Sequence, residues 1–443
     1  MKKRITLVLL GCLAASLWMP VTMQAQYLRT SYFMDGTSAR YYLNPALSPR
    51  RGYINLPAIG SVLPEVSSNS LGIQDVIDIV QSGTDFLNSP LFIDKLADMN
   101  RVNVNAKIDI LGIGWHRGNN FWSATIGARM DVDADIPKSM FEVIRQMNQD
   151  NFVWSPTQQF NVENQRIRLN SYVEVALGYS RSIGKHVTIG VRPKLLLGAA
   201  NLDLQINRLH IQGVVDGMNS SFDLQTDAYM RASFKGLELD RDHDNYVTDL
   251  DLDGEHGIAG YGAGVDLGIG LQLFDHLNLS ASLLDLGFIN WSKESTRVAQ
   301  SQKDIHIDKD NYSPDMFDFG LYGLKGLDAN EFDAHRSRLS PTLVLGGEYA
   351  LFRNKLGVGV LSTTRFGELY NYSELTVAAS WRPNTLINAS LSYSLLEGND
   401  TFGLALKLGP LMVGTDYMFF GKNSKHVNAY VGLSIPLGKK KTD

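Results

Sequence analysis

The stretch "VNVNAKIDI", Val102 to Ile110, alternates without a break. Val102, Val104, Ala106, Ile108 and Ile110 are apolar, while Asn103, Asn105, Lys107 and Asp109 between them are polar. A period of two puts each set on its own face of a strand. After the turn residues "HRGNN" the pattern resumes. Trp122, Ala124, Ile126, Ala128, Met130, Val132 and Ala134 alternate with Ser123, Thr125, Gly127, Arg129, Asp131 and Asp133. Two such runs about a tight turn make a hairpin with one greasy face and one charged face.

The signal recurs to the end of the chain. Val173, Val175, Leu177 and Tyr179 enclose Glu174, and Val187, Ile189 and Val191 run in phase with Arg192 and Lys194. "GYGAGVDLGIGLQL" from Gly260 encloses Asp266, and further alternating runs cover 277–283, 343–349, 356–360, 375–381, 387–393, 402–408, 411–417 and 427–435. Alternation alone suits a soluble β-sandwich as well. Three features turn the reading to a transmembrane barrel. Nearly every run carries charge on its polar face, as a wet lumen requires. Glycine, with 40 residues, falls often on the alternating positions. Aromatics flank the short turns, as with Trp115, Phe121 and Trp122, Tyr349 and Phe352, and Trp381, which suits an interfacial girdle.

Parity constrains the number of crossings. Short turns near 116–120, 183–186, 274–276, 352–355, 383–386 and 409–411 should share one side with both termini. That holds only if one more strand precedes Val102, and "GYINLPAIGSV" from Gly52 supplies it. The expected fold is all-β: a transmembrane antiparallel β-barrel of about 14 strands, or 16 if residues 201–237 hold a crossing hairpin. Short helices belong in the long loops. "PKSMFEVIRQM" puts Met140, Val143, Ile144 and Met147 on one face, residues 73–99 have room for one or two more, and 290–340 reads as an external cap.

The chain opens "MKKRITLVLLGCLAASLWMPVTMQAQ", a basic start, an apolar run and a small-residue site before Gln26. This layout is that of a secretory signal peptide over 1–25, followed by a lead-in over 26–50 that is a candidate lumenal plug, and a barrel over 51–443. Cys12, the only cysteine, lies in the leader, so the exported chain has no disulfide, zinc–thiolate site or thiol nucleophile. The formal net charge is −5, and without Lys2, Lys3 and Arg4 it is 38 basic against 46 acidic residues. An acidic chain lacks the basic footprint of a nucleic-acid binder.

Several stretches resemble an uncharacterised family of outer-membrane β-barrels within the long-chain fatty-acid transporter (FadL)-like group. They are "LNPALSPRRGYINLP", "IPKSMFEVI", "ALGYSRSIGKHVTIGVRPKLLLGAANL", "GYGAGVDLGIGLQLFDHLNLSASLLDLGFINW" and "YVGLSIPLG". Asn44-Pro45-Ala46 is similar to the hatch-region tripeptide of the fatty-acid transporters. The resemblance implies a place in the bacterial outer membrane, contact with its lipid and a small hydrophobic ligand. A barrel that works with secretion machinery also belongs to the group, which implies the alternative of a structural barrel with a secretion or surface protein partner.

No HExxH, GxSxG or phosphate-loop motif is present, so no catalytic residue is named and no enzyme is expected. In "ELDRDHDNYVTDLDLDGE", Asp240, Asp242, Asp244 and Asp251 stand at positions 1, 3, 5 and 12 of a calcium loop, a Ca²⁺ candidate. A second frame, Asp249, Asp251 and Asp253, has its glycine at Gly254 but puts Gly260 at position 12. Asn245 replaces the turn glycine of the first frame, and a solvated acidic loop has the same composition. "DIHIDKD" places Asp304, His306, Asp308 and Asp310 along one side of an extended segment, as a hydrophilic outer loop also does. The expected lumen lining is Lys107, Arg129, Arg192, Lys194, Arg382 and Lys407 against Asp109, Asp131, Asp133, Glu174, Asp266, Glu348 and Asp416. Six cations against seven anions favour internal pairing in a narrow or plugged lumen over an ion-selective pore.

Overall fold

A computed structural model describes residues 28–438 apart from 35–36, 56–60, 83–88, 148–158, 217–218, 242–246, 253–256, 275, 308–323, 329–330, 370, 385, 397–400 and 419–422. The expected leader, with Cys12, lies outside the described residues. The chain closes on itself as a 14-stranded antiparallel barrel. Its strands are β1 (Gly52–Asn55 and Val62–Ser68), β2 (Met99–Arg117), β3 (Asn120–Pro137), β4 (Gln159–Ile183) and β5 (Val187–Asp216). There follow β6 (Gly260–Leu273), β7 (Leu277–Trp291), β8 (Thr342–Leu351), β9 (Leu356–Phe366) and β10 (Asn371–Trp381). The wall ends with β11 (Ile387–Leu396), β12 (Thr401–Leu408), β13 (Leu411–Met418) and β14 (Tyr430–Leu437). Closure is made by β1 against β14, with Gly52 opposite Leu437 and Ile54 opposite Ile435.

Alternation builds the wall as the period of two demands. On β2, Ile108, Ile113 and Trp115 are exposed on the outside, while Asn103, Asn105, Lys107 and Asp109 are buried inside. On β6, Leu267 and Ile269 face out, and every inward position from Gly260 to Gly270 is glycine except Asp266. Exposed Leu, Ile and Val circle the exterior, and Trp115, Trp122, Phe274, Tyr349, Phe352 and Trp381 cluster beside the short turns. An apolar band edged by aromatics is the surface a bilayer solvates. Among the described residues no helix is long and apolar enough to cross a membrane, so the crossing is done by strands.

Residues 201–237 do hold a hairpin, but it adds no crossing. A crossing takes about ten residues, and β5 has 30. Its first half, from Val187 to Gly198, pairs with β6. Its second half leaves the wall and pairs with Asn219–Phe234, which in turn pairs with Thr296–Ile307. The sheet therefore continues beyond the barrel at the long-loop end, and the count stays at 14.

That end also carries three helices, α2 (Ile73–Gln81), α3 (Pro90–Lys95) and α4 (Lys138–Met147). Helix α2 is held at its start by Asp75, whose Oδ2 accepts from the Gly72 amide at 2.9 Å and whose Oδ1 lies 3.1 Å from Lys95 Nζ. These contacts hold the Asp75 carboxyl below its usual range even against partial burial. Met140 and Val143 of α4 are buried, as its helical face requires, against Ile79, Phe92 and Ile93 and against Ile136, Phe160 and Leu204 of the strand extensions. Among the described residues this is the largest apolar cluster, and it sits over the mouth of the barrel rather than in its wall.

Candidate functional site

The lumen is filled by the chain's own N-terminal segment. A 3₁₀ turn, Arg29–Phe33, leads to helix α1 (Ser38–Leu43), and all eleven of these residues are buried. Asp416 on β13 accepts the backbone amides of Arg29 at 2.9 Å and Thr30 at 2.8 Å. Tyr32 reaches Ser280 at 2.9 Å, Ser282 donates to the Leu43 carbonyl at 2.6 Å, and His116 meets the Pro49 carbonyl at 2.7 Å. The segment thus touches strands all round the barrel.

Glycine makes room for it. A side chain at Gly190 would fall on Pro45, at Gly268 on Asn44, at Gly346 on Tyr32 and at Gly403 on Thr30. These positions belong to four different strands and face inward. Close backbone approach is what glycine permits, and here it follows the path of the segment.

Charges fill the remaining space in linked clusters. In the largest, Lys194 Nζ lies 2.5 Å from Asp285, 2.7 Å from Asp266 and 3.4 Å from Glu174. Arg192 bridges Asp266 at 3.0 Å and Glu174 at 2.5 Å, and Arg129 reaches Glu174 at 3.2 Å. Lys107 lies 3.8 Å from Asp109 and the same distance above the Tyr42 ring. The second cluster is built on the segment itself: Arg29 lies 2.6 Å from Glu374, 3.6 Å from Asp416 and 3.7 Å from Glu65. In the third, Glu348 takes Arg40 at 3.1 Å and Arg382 at 2.6 Å. Burying ions costs several kcal/mol each, about as much as their mutual attraction returns, so such pairing sets position more than it adds stability.

Lys107, Asp109, Arg129, Asp131, Glu174, Arg192, Lys194, Asp266, Glu348, Arg382 and Asp416 are all buried inside the wall. Asp131 is met by Arg365 at 3.2 Å. Asp133, half-buried, accepts from Asn103 at the edge of an inner cavity of about 60 Å³. Lys407 lines a second cavity at the short-turn end. Sequence reasoning missed Arg29, Arg40, Glu65, Asp285, Arg365 and Glu374. Of the calcium candidate, Asp240 stands opposite Asp249 in a small hairpin, where Glu238 faces Asp251. Asp242 and Asp244 lie outside the described residues, as do Asp308 and Asp310. Asp304 and His306 are exposed on the strand extension, with His306 Nδ1 2.7 Å from Asp223.

A family model described as "Family of unknown function (DUF5723)" matches residues 45–416. No curated protein matches the chain. Among solved structures, the chain is similar to a deletion mutant of the monoaromatic hydrocarbon channel TodX, at 11% identity over 90% of this chain and 95% of that one, TM-score 0.43. It is also similar to the Pseudomonas putida toluene transporter TodX, at 10% identity over 93% of each chain, TM-score 0.34. A Pseudomonas aeruginosa FadL homologue is similar at 10% identity over 94% and 96%, TM-score 0.28.

Proposed function

We propose, for a chain that belongs to the DUF5723 family, that it is a barrel of the bacterial outer membrane that takes up or handles small hydrophobic molecules. In that setting the short turns face the periplasm and the helices face outward. The observation that carries the reading is the apolar cluster over the outer mouth. Helices α2, α3 and α4 bury Ile79, Phe92, Ile93, Met140 and Val143 against one another there. Ile77, Val80 and Leu91 on the same helices stay exposed, Val80 at 61%. A hydrophobic solute gains about 25 cal/mol for each Å² of apolar area it covers, and this cap offers such area above a lumen. In this reading the N-terminal segment is the gate, because it occupies the lumen through which a solute passes.

One observation favours a second reading. The largest charge cluster sets four cations against four carboxylates, and the segment fills the lumen, which suits a closed barrel acting as a structural or secretion-associated partner through its outer loops. Mass spectrometry of material co-purified with the detergent-extracted barrel separates the two. A hydrophobe enriched over an unrelated barrel, and lost when the exposed Val80 and Leu91 are replaced by serine, is the expected result. Absence of any such ligand, with a specific protein partner recovered instead, moves the assignment to the second reading.

A further inference from the structure

Charge is balanced in the largest lumenal cluster but not beside Arg29. There Arg29 on the N-terminal segment and Arg365 on β9 stand against Glu65 on β1, Glu374 on β10, Asp416 on β13 and Asp131 on β3. Two guanidiniums thus face four carboxylates, and all four carboxylates are buried. Burial of uncompensated ions is costly. Hydrogen bonds offset part of the surplus. Asp416 takes the amides of Arg29 and Thr30, the Thr30 hydroxyl at 2.6 Å and the Asn428 side-chain amide at 3.1 Å. Glu65 is served less. Among the described residues the Tyr417 hydroxyl at 3.2 Å and Arg29 at 3.7 Å both meet its Oε1, with Arg365 acting from further off.

Glu65 and Asp133 both line the inner cavity of about 60 Å³, together with the hydroxyl side chains Ser67, Thr342 and Thr363. A void needs about 10–15 Å³ to take one water, so this one has room for an ion or a few heavy atoms. Arg29 and Arg365 line it as well, but Arg29 lies 2.6 Å from Glu374 and Arg365 lies 3.2 Å from Asp131. Thr342 adds an independent observation. It opens β8 on the inward parity shared with Val344 and Glu348, and it is only 5% exposed. Its Oγ1 is buried without a hydrogen-bond partner. A buried hydroxyl left alone is costly, and its lone pairs suit a cation.

We propose that this cavity binds a small monovalent cation, an alkali metal ion or a primary ammonium, at Glu65 with Thr342 as a neutral oxygen ligand. The surplus of carboxylates sets the sign of the ligand. Its single charge follows from the walls. A divalent ion gathers several carboxylates, and among the described residues no three Asp, Glu or His side chains converge to hold one. Neutral oxygens in place of a hydration shell suit a monovalent ion. Because Glu65 shares Arg29 with Glu374 and Asp416, the cation supplies charge that the single guanidinium of the segment lacks. The site stands whether or not hydrophobic molecules pass through the lumen.

The test uses the full chain in neutral detergent, with urea midpoints measured at neutral pH and fixed ionic strength. Sodium, potassium and methylammonium chlorides are each exchanged stepwise for tetramethylammonium chloride, whose bulky cation has no N–H. Stabilisation that grows with the concentration of a small cation gives its apparent Kd. Sodium or potassium as the effective ion assigns a metal, and methylammonium assigns an ammonium. Glu65→Gln should weaken the binding about tenfold, as the loss of a charge-assisted contact does. Thr342→Val keeps the shape of the side chain and should weaken it about fivefold. Thr401→Val, at a buried partnerless hydroxyl on β12 that does not line the cavity, should keep the native response. With no cation at the site, Thr342→Val only removes an orphan hydroxyl and leaves every salt response unchanged, which overturns the proposal. Equal midpoints in all four salts overturn it too. Midpoints that rise only on acidification assign the surplus to bound protons and overturn it as well.

Discussion

Asn44 lies against Gly268, at a point on β6 where the wall has no side chain. Its amide passes the glycine to donate to the carbonyls of Ile269 at 3.2 Å and Ala281 at 3.0 Å, one on β6 and one on β7. Its Oδ1 meanwhile accepts from the Ala46 amide at 2.8 Å and so turns the chain toward the short-turn end. One side chain fixes the segment to two strands and sets its direction.

Gly268→Leu should therefore unseat the segment. A Cβ there overlaps Asn44 and Pro45, and overpacking of a filled interior costs about 1–3 kcal/mol. Arg29 and Arg40 are buried in the native lumen, so trypsin cleavage after either residue reports release. Cleavage should become fast in the variant while the heat-modifiable barrel band persists. An unchanged digest would mean that the wall, rather than the segment, gives way.

Arg29 is the cation on which the second cluster depends. Its guanidinium serves Glu374, Asp416 and Glu65 and also donates to the Tyr417 hydroxyl at 2.6 Å. Arg29→Met leaves three buried carboxylates facing one another, a loss of about 3–5 kcal/mol. Adding Glu374→Gln removes one of those charges and should recover part of the loss. The urea midpoints of the four proteins in this cycle give the coupling directly. Simple additivity of the two changes would contradict the geometry.

The wall was legible because alternation is a local property, and the inward charges of β2 to β6 follow from it residue by residue. The missed residues share a different cause. Arg29 and Arg40 stand in a segment without periodicity, and their partners Asp416 and Glu348 lie more than 300 positions away. Asp285 was missed because the phase changes under it. Ser282 and Leu284 are buried on one parity of β7, Ile289 and Trp291 on the other, and Asp285, at φ 57°, is the residue where the strand turns over. A bulge reverses every later side chain. Its trace in the sequence is an acid on the apolar parity next to a leucine on the polar one. The same slip falls between Asp109 and Leu111, which ends the pattern that opened the reading.

The outer cap should be separable from the barrel. Phe92 of α3 and Phe141 of α4 meet edge to face with centroids 5.4 Å apart, and both are buried. Phe141→Ala opens a cavity worth about 3–5 kcal/mol, spread over helices that have no ladder bonds to the wall. Hydrogen exchange should quicken across Ile73–Gln81, Pro90–Lys95 and Lys138–Met147 and leave β8 to β13 unchanged. Faster exchange in those strands would show that the cap and the barrel unfold as one.

Acid should loosen the strand extension at His335. Its ring lies parallel to Trp291 with centroids 6.3 Å apart, and its Nε2 meets the Asn201 side chain at 3.0 Å. Burial first, and Arg231 second, push its pKa down to about 4, whereas a free histidine titrates near 6.5. The folded form therefore excludes a proton that the opened form accepts. The stabilisation is complete above about pH 6.5 and falls steadily toward pH 4. Among the described residues His335–Arg338 pair only with the end of β7, so opening should be local and should expose Trp291. The difference in emission between the native protein and Trp291→Phe is expected to shift to the red across that interval, reversibly. His335→Phe keeps the stack and cannot take the proton, so its emission should stay flat. A shift that survives in His335→Phe would assign the acid response to another group.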